Sequence, residues 1–302
     1  MVNKTQNKGS TIAIVIFSLF ILSSLVAVFI GANSDMSGAK EKILVIPLRS
    51  TIVTETSGSL FKSEGTSSSE IISLIDKAEE DPDIAGVIFE IDSPGGSPVG
   101  SHEIVKKIKS MTKPKISVIR SAGASGAYWV ASATDYIIAD ELSLTGSVGV
   151  FGSYLEFSGL LDDYNVTYQR IVAGEYKDIG SPFKELTPDE RFELERKVTM
   201  MQEFFLDDVT NNRNLTRNQV AQIKSGIYYL GLESVELGLI DELGGTPQAK
   251  EYFKNILDSD VTLIKISNKK GLFDILGSVF SNNNYLFGRE ISSSNIPSIE
   301  FK

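Results

Sequence analysis

The chain has 302 residues, is 42% hydrophobic and 23% charged, and carries a formal charge of −10 with no cysteine. That length and balance allow a sizeable buried core. The missing cysteines exclude disulfides, thiol nucleophiles and thiolate metal sites, and the acidity, with no long basic run, excludes nucleic-acid binding.

Residues 1–10 contain Lys4 and Lys8 and no acid. Residues 11–31 then run without a charge and are rich in Ile, Val, Leu and Phe. At 1.5 Å per residue such a helix spans about 30 Å, the thickness of a bilayer core. The stretch is longer than a secretory signal's apolar region, and Ile30-Gly31-Ala32 is a poor cleavage site, so it is expected to remain as one N-terminal transmembrane anchor. The preceding lysines place the N-terminus in the cytoplasm and the rest of the chain outside. Residues 32–41 form a short polar linker.

After the linker, Ile43–Pro47 has strand length, and the Ser- and Gly-rich stretch 57–69 reads as a loop. Ile71, Ile72, Leu74 and Ile75 then predict a helix to about Glu79. A strand over Ala85–Ile91 ends in Ser93-Pro94-Gly95-Gly96, where two glycines let backbone approach a ligand. Ile104, Val105, Ile108 and Met111 have helical spacing, Ile116–Ile119 reads as a strand, and Ser125–Ser132 as a helix start. Strands alternating with helices predict an α/β fold with a mostly parallel sheet. Thr187 and Glu190 form a capping box, with Pro188 at the first position of a long helix to about Val209, and Thr216 with Gln219 opens a shorter one. Residues 281–302 are Asn- and Ser-rich, a polar tail with no predicted element.

Three features bear on chemistry. The Ser-Pro-Gly-Gly turn offers backbone N–H groups that can hold an oxyanion, although most such turns are only turns. Ser125 sits among small residues in Ser121-Ala122-Gly123-Ala124-Ser125-Gly126-Ala127, where it reads either as a nucleophile or as a helix N-cap. A serine nucleophile needs a base. His102 is the only histidine, and its place near a helix start fits an ordinary side chain better than a catalytic one. A lysine serves instead where a buried site brings its amine down from about 10.4 toward neutrality. Lys177, in Gly174-Glu175-Tyr176-Lys177-Asp178-Ile179-Gly180-Ser181-Pro182, is a candidate, but from the residues alone a solvated surface lysine is the plainer reading.

These segments, in order, resemble the signal peptide peptidase A family of Ser-Lys serine proteases, within the Clp-protease/crotonase superfamily. The likeness runs from about Lys42 to Tyr252. It rests on the glycine turn, Ala-Ser-Gly-x-Tyr around Ser125, Leu144-Thr145-Gly146-Ser147-Val148-Gly149-Val150, the Lys177 segment, and Leu237-Gly238-Leu239-Ile240-Asp241-Glu242-Leu243-Gly244-Gly245. One departure is Asp92, where many relatives have Asn; its carboxylate is expected to point away from the oxyanion.

The resemblance implies Clp-protease/crotonase-like repeated β-β-α units in a peptidase domain over 42–280. It implies Ser125 as nucleophile, Lys177 as general base, Ser147 as the hydroxyl orienting the lysine, and the amides of Gly95 and Gly126 as the oxyanion site, with no metal or cofactor. It further implies a membrane-anchored endopeptidase acting on remnant signal peptides and other apolar peptides, its catalytic domain extracytoplasmic and assembled into a homo-oligomeric ring. The alternatives are a protease of stomatin-like membrane proteins, a crotonase-type acyl-thioester enzyme, and a non-catalytic membrane-tethered scaffold. Asn165-Val166-Thr167 and Asn214-Leu215-Thr216 fit the glycosylation pattern, which matters only in a glycosylating compartment.

Overall fold

The computed structural model describes residues 40–55 and 65–265, together with Ser18, Leu19, Ile21 and Ser23, which are helical. The expected anchor at 11–31 and most of the linker lie largely outside the described residues, as does the tail 281–302. Among the described residues no helix is long and apolar enough to cross a membrane.

In chain order the elements are β1 (Glu41–Arg49), β2 (Ile52–Val53), β3 (Thr66–Ser67), α1 (Ser68–Glu80), β4 (Ile84–Ser93), α2 (Pro98–Lys109), β5 (Lys115–Ala124) and α3 (Gly126–Ser132). They continue with β6 (Tyr136–Ala139), β7 (Leu144–Gly146), α4 (Ser158–Asp163), α5 (Pro188–Arg213), α6 (Arg217–Ile223), β8 (Tyr228–Leu230), α7 (Gly231–Glu236), β9 (Glu242–Leu243), α8 (Thr246–Leu257) and β10 (Val261–Lys265). The fold is α/β, and the main sheet runs β10-β1-β4-β5-β6-β9. The β1–β4, β4–β5, β5–β6 and β6–β9 pairs are parallel, while β8 is antiparallel to β7.

The central strands are covered on both faces, so they read as unbroken apolar runs instead of alternating ones. In β4, Val87, Ile88, Phe89 and Ile91 are all buried, and Ile116, Val118 and Ile119 of β5 continue the layer. On one face Phe253 of α8 packs against Ile43, Ile88 and Ile116. Gly86 makes room for that ring, since a Cβ there would stand 2.3 Å from Phe253 Cε1.

Two departures from a regular sheet position the site. β5 pairs with β6 through Ile116–Ile119, then leaves it and pairs with β7 through Ala122–Ala124. The β4–β5 register slips between Ile91 and Ser93, which sets Ser93 opposite Gly123. The glycine turn after β4 and the serine after β5 therefore leave adjacent strand ends side by side. Carboxyl ends of parallel strands are where α/β folds place ligands.

The capping boxes form as expected: Thr187 Oγ1 accepts from Glu190 N at 3.2 Å while Glu190 Oε2 accepts from Thr187 N at 3.0 Å, and Thr216 pairs likewise with Gln219. The long helix α5 runs four residues past the expected end, to Arg213, and closes on left-handed Asn214. Arg213 explains the extension. Its side chain is largely buried and forms two hydrogen bonds to the Asp241 carboxylate at 2.8 and 2.9 Å, and a third to the Gly238 carbonyl at 3.1 Å. These bonds tie the end of α5 to the turn before β9. The Arg213 side chain is largely buried while the Asp241 carboxylate reaches solvent, so Arg213→Ala is expected to cost about 2 kcal/mol, the scale of lost hydrogen bonds to a charged group. Urea unfolding of the two proteins checks this; an unchanged midpoint would contradict it.

Candidate active site

Ser125 stands between β5 and α3 with φ 53° and ψ −128°, a conformation that side-chain-bearing residues seldom adopt. Its N–H donates to the Gly146 carbonyl at 2.8 Å and its carbonyl accepts from Trp129 N at 3.0 Å. Ser125 thus occupies the N-cap position, yet its side chain makes no capping bond. Of the two readings open to the sequence, the capping role is the one the geometry leaves unfilled. The hydroxyl, half-buried, lines a cleft of about 1060 Å³ instead.

The glycine turn closes on this serine because it carries no side chain. A Cβ on Gly95 (φ 101°) would lie 2.8 Å from Gly126 N, 2.9 Å from Ala124 O and 2.9 Å from Ser125 Cβ. A Cβ on Gly126 would lie 2.2 Å from Ser101 Oγ, and one on Gly96 2.2 Å from the Ile52 carbonyl. Gly126 opens α3, so its amide has no carbonyl partner within the helix. The Gly95 amide donates to Ser93 Oγ at 3.2 Å, and that hydroxyl donates onward to the Ser50 carbonyl at 2.5 Å. The two amides expected to hold an oxyanion are therefore neighbours, and one of them rests in a long bond to a serine hydroxyl.

Ser147 lines the same cleft. It follows the β7 turn in a left-handed conformation (φ 53°), and its Oγ donates to the Gly226 carbonyl at 3.1 Å. A hydroxyl that donates its proton there keeps its lone pairs for an incoming N–H. Asp92 is half-buried and does not line the cleft.

Lys177 lies elsewhere. It is exposed, it does not line the cleft of Ser125 and Ser147, and no residue from Phe151 to Asp189 is buried. This arm has internal order nonetheless. Phe157 N–H donates to the Pro182 carbonyl at 2.7 Å, and Arg170 grips Asp178 with Nε at 2.7 Å and an η-nitrogen at 2.9 Å. The Arg170 hydrogen bond also holds the Asp178 carboxyl below its ordinary range. Lys184 binds Glu190 at the start of α5 and anchors the arm's end. Within one chain the burial expected of a basic lysine is thus not supplied.

His102 lies in the cleft but is spent on packing. Its ring stacks on Trp129 at 5.3 Å and 13° and meets Phe204 edge-on at 5.1 Å. Sequence reasoning did not find Trp129, Phe204, Met200 and Met201 as cleft residues, because the contacts join α3 to a helix some 75 positions downstream. It also missed the Arg170–Asp178 clamp, for which a basic and an acidic residue eight positions apart in a loop give no signal. Among the described residues no cluster of His, Asp and Glu is placed to hold a metal ion.

Comparison with known proteins gives this geometry a setting. A family model described as peptidase family S49 matches residues 107–259. A candidate protease of Methanocaldococcus jannaschii is 32% identical over 87% of this chain and 86% of its own length. A candidate signal peptide peptidase of Enterococcus faecium is 30% identical over 82% and 75%. Protease 4 of Haemophilus influenzae is 30% identical over 69% of this chain but only 34% of that protein.

The contact between the two turns tolerates no methyl group. Gly95→Ala is expected to displace the Ser125 turn and lower peptide hydrolysis at least about a hundredfold, the scale of losing an oxyanion donor, with the circular dichroism spectrum unchanged. Full activity in that variant would remove Gly95 from the site.

Proposed function

The chain belongs to peptidase family S49, the serine peptidases that include signal peptide peptidase A, and on that footing we propose that it cleaves peptides by acyl transfer with Ser125 as nucleophile and Lys177 as general base. The observation that carries the reading is the Ser125 turn: a strained serine, unspent on capping, facing a large cleft beside two closely packed glycine amides.

The uncharged amine of Lys177 takes the Ser125 proton as Oγ attacks the scissile carbonyl carbon. The amides of Gly126 and Gly95 hold the oxyanion, and the Gly95 N–H exchanges its long bond to Ser93 Oγ for this stronger charge-assisted one. Lys177 then protonates the leaving amine. Water, deprotonated by the same lysine, attacks the acyl ester and releases the carboxylic acid and free Ser125. Ser147, its proton engaged by Gly226, accepts from the lysine amine and orients it.

This chemistry needs Lys177 beside a Ser125, and the arm suggests how. Phe151 is 88% exposed, Leu155 74% and Ile171 97%, and Phe192 on α5 is exposed as well. Large apolar side chains turned outward in this number point to an interaction site. In our reading the arm docks on a second copy of the chain and delivers Lys177 to that copy's cleft, where burial makes the amine a base. A head-to-tail contact of this kind closes into a ring when the rotation allows.

The substrates in this reading are remnant signal peptides and other apolar peptides, to which an anchor at residues 11–31 would hold the site close. The catalytic domain would then be extracytoplasmic. Both placements rest on the uncharged segment and the lysines before it.

Ser125→Ala and Lys177→Ala are each expected to be folded and inert toward a fluorogenic signal-peptide substrate. Mixing them during assembly should restore roughly a quarter of wild-type activity, from random pairing of two protomers per site. No recovery on mixing would place the base within one chain, and activity in Lys177→Ala alone would dismiss it as the base.

A further inference from the structure

The single histidine is left without a chemical task by the Ser-Lys reading, yet it occupies the cleft. His102 is half-buried on α2, with its ring flat against Trp129. Trp129 is itself sandwiched, stacking on Phe205 at 4.7 Å. Its indole N–H donates to Asp208 Oδ2 at 2.7 Å, and the other oxygen of Asp208 binds Lys109. The wall is therefore fixed by hydrogen bonding from α3 to α5 and by an ion pair from α2 to α5. In front of it stand Phe204, 53% exposed, and Met200, 56% exposed. All of these except Asp208 and Lys109 line the cleft that holds Ser125.

We propose that His102 is a specificity-determining residue, its imidazole forming one wall of the subsite that receives a substrate side chain, selective for apolar side chains while uncharged and tolerant of acidic ones once protonated. The proposal rests on Ser125 marking the substrate cleft. Rings of Trp129 and Phe204 and the adaptable thioether of Met200 suit a flat or long apolar side chain. The imidazole is the one surface there that changes charge near neutral pH.

The charged groups around it are Lys106, Lys109 and Glu103 on its own helix and Asp208 on α5. Burial, followed by Lys106, lowers the imidazole below its ordinary 6.5, with Asp208 opposing. At neutral pH the ring is accordingly uncharged and the subsite apolar. As the pH falls through that lowered value the ring gains charge, and a carboxylate entering the subsite gains a partner.

Trp129 is the only tryptophan in the chain, so its emission reports this wall directly. The test uses the full chain carrying Ser125→Ala and two heptapeptides of alanine, one with three central norleucines and one with three central glutamates. At pH 8 the norleucine peptide is expected to bind about tenfold more tightly or better. At pH 5 that gap should narrow about three- to fivefold, the worth of one partly exposed ion pair. His102→Phe, which keeps a flat apolar ring, should leave the gap the same at both pH values. A gap independent of pH in the parent, narrowing that survives His102→Phe, or no response of Trp129 to either peptide would overturn the proposal. Hydrolysis is not read in this experiment. Failure of the Ser125 assignment shows itself separately, as peptide cleavage that persists in Ser125→Ala.

Discussion

The site depends on one close contact, the approach of the Gly95 turn to the Ser125 turn without a side chain between them. Atoms 2.8 to 2.9 Å from where a Gly95 Cβ would sit belong to Gly126, Ala124 and Ser125 itself. The parallel sheet exists upstream of that contact, in the sense that β4 and β5 must leave it in adjacent positions. The register slip opposite Gly123 and the switch of β5 from β6 to β7 bend the two exits toward each other. Ser125 pays for the approach with a conformation non-glycine residues seldom hold, and the carbonyl of Gly146 secures it.

Around this rigid centre the chain is divided in character. The sheet and its helices are densely buried, with Arg213 and Asp241 binding the far end of α5 to the body. The arm from Phe151 to Asp189 buries nothing and turns large apolar side chains outward. In the proposed reading, with the nucleophile on the first part and the lysine on the second, chemistry is contingent on assembly. An isolated chain would then cut no peptides, because that reading gives Ser125 an oxyanion site and a cleft but no base until a second copy supplies one.

Much of the fold was legible because its signals are local. The strands of the buried sheet announce themselves as apolar runs, and Thr187, Pro188 and Glu190 mark a helix start through bonds spanning three residues. Boundaries were less so: β5 continues through Arg120 and Ser121 to Ala124 because β7 offers it a new partner, which no window around Ile116–Ile119 reveals. Ser125, Ser147, Gly95 and Gly126 lie close together, because one stretch of sheet positions all four. Lys177 does not, since its surroundings are not set by its own segment. Trp129 and Phe204 escaped notice because a contact between α3 and α5 leaves no periodic trace.

The central claim is that Ser125 is the reacting atom's owner, and covalent capture tests it most directly. The full chain would be treated with a serine-directed fluorophosphonate, digested, and its adduct located by mass spectrometry. The account predicts one adduct, on Ser125, appearing in the assembled protein and slowed when Lys177 is replaced by alanine. An adduct on another serine, or none in a preparation that cleaves peptides, would contradict it.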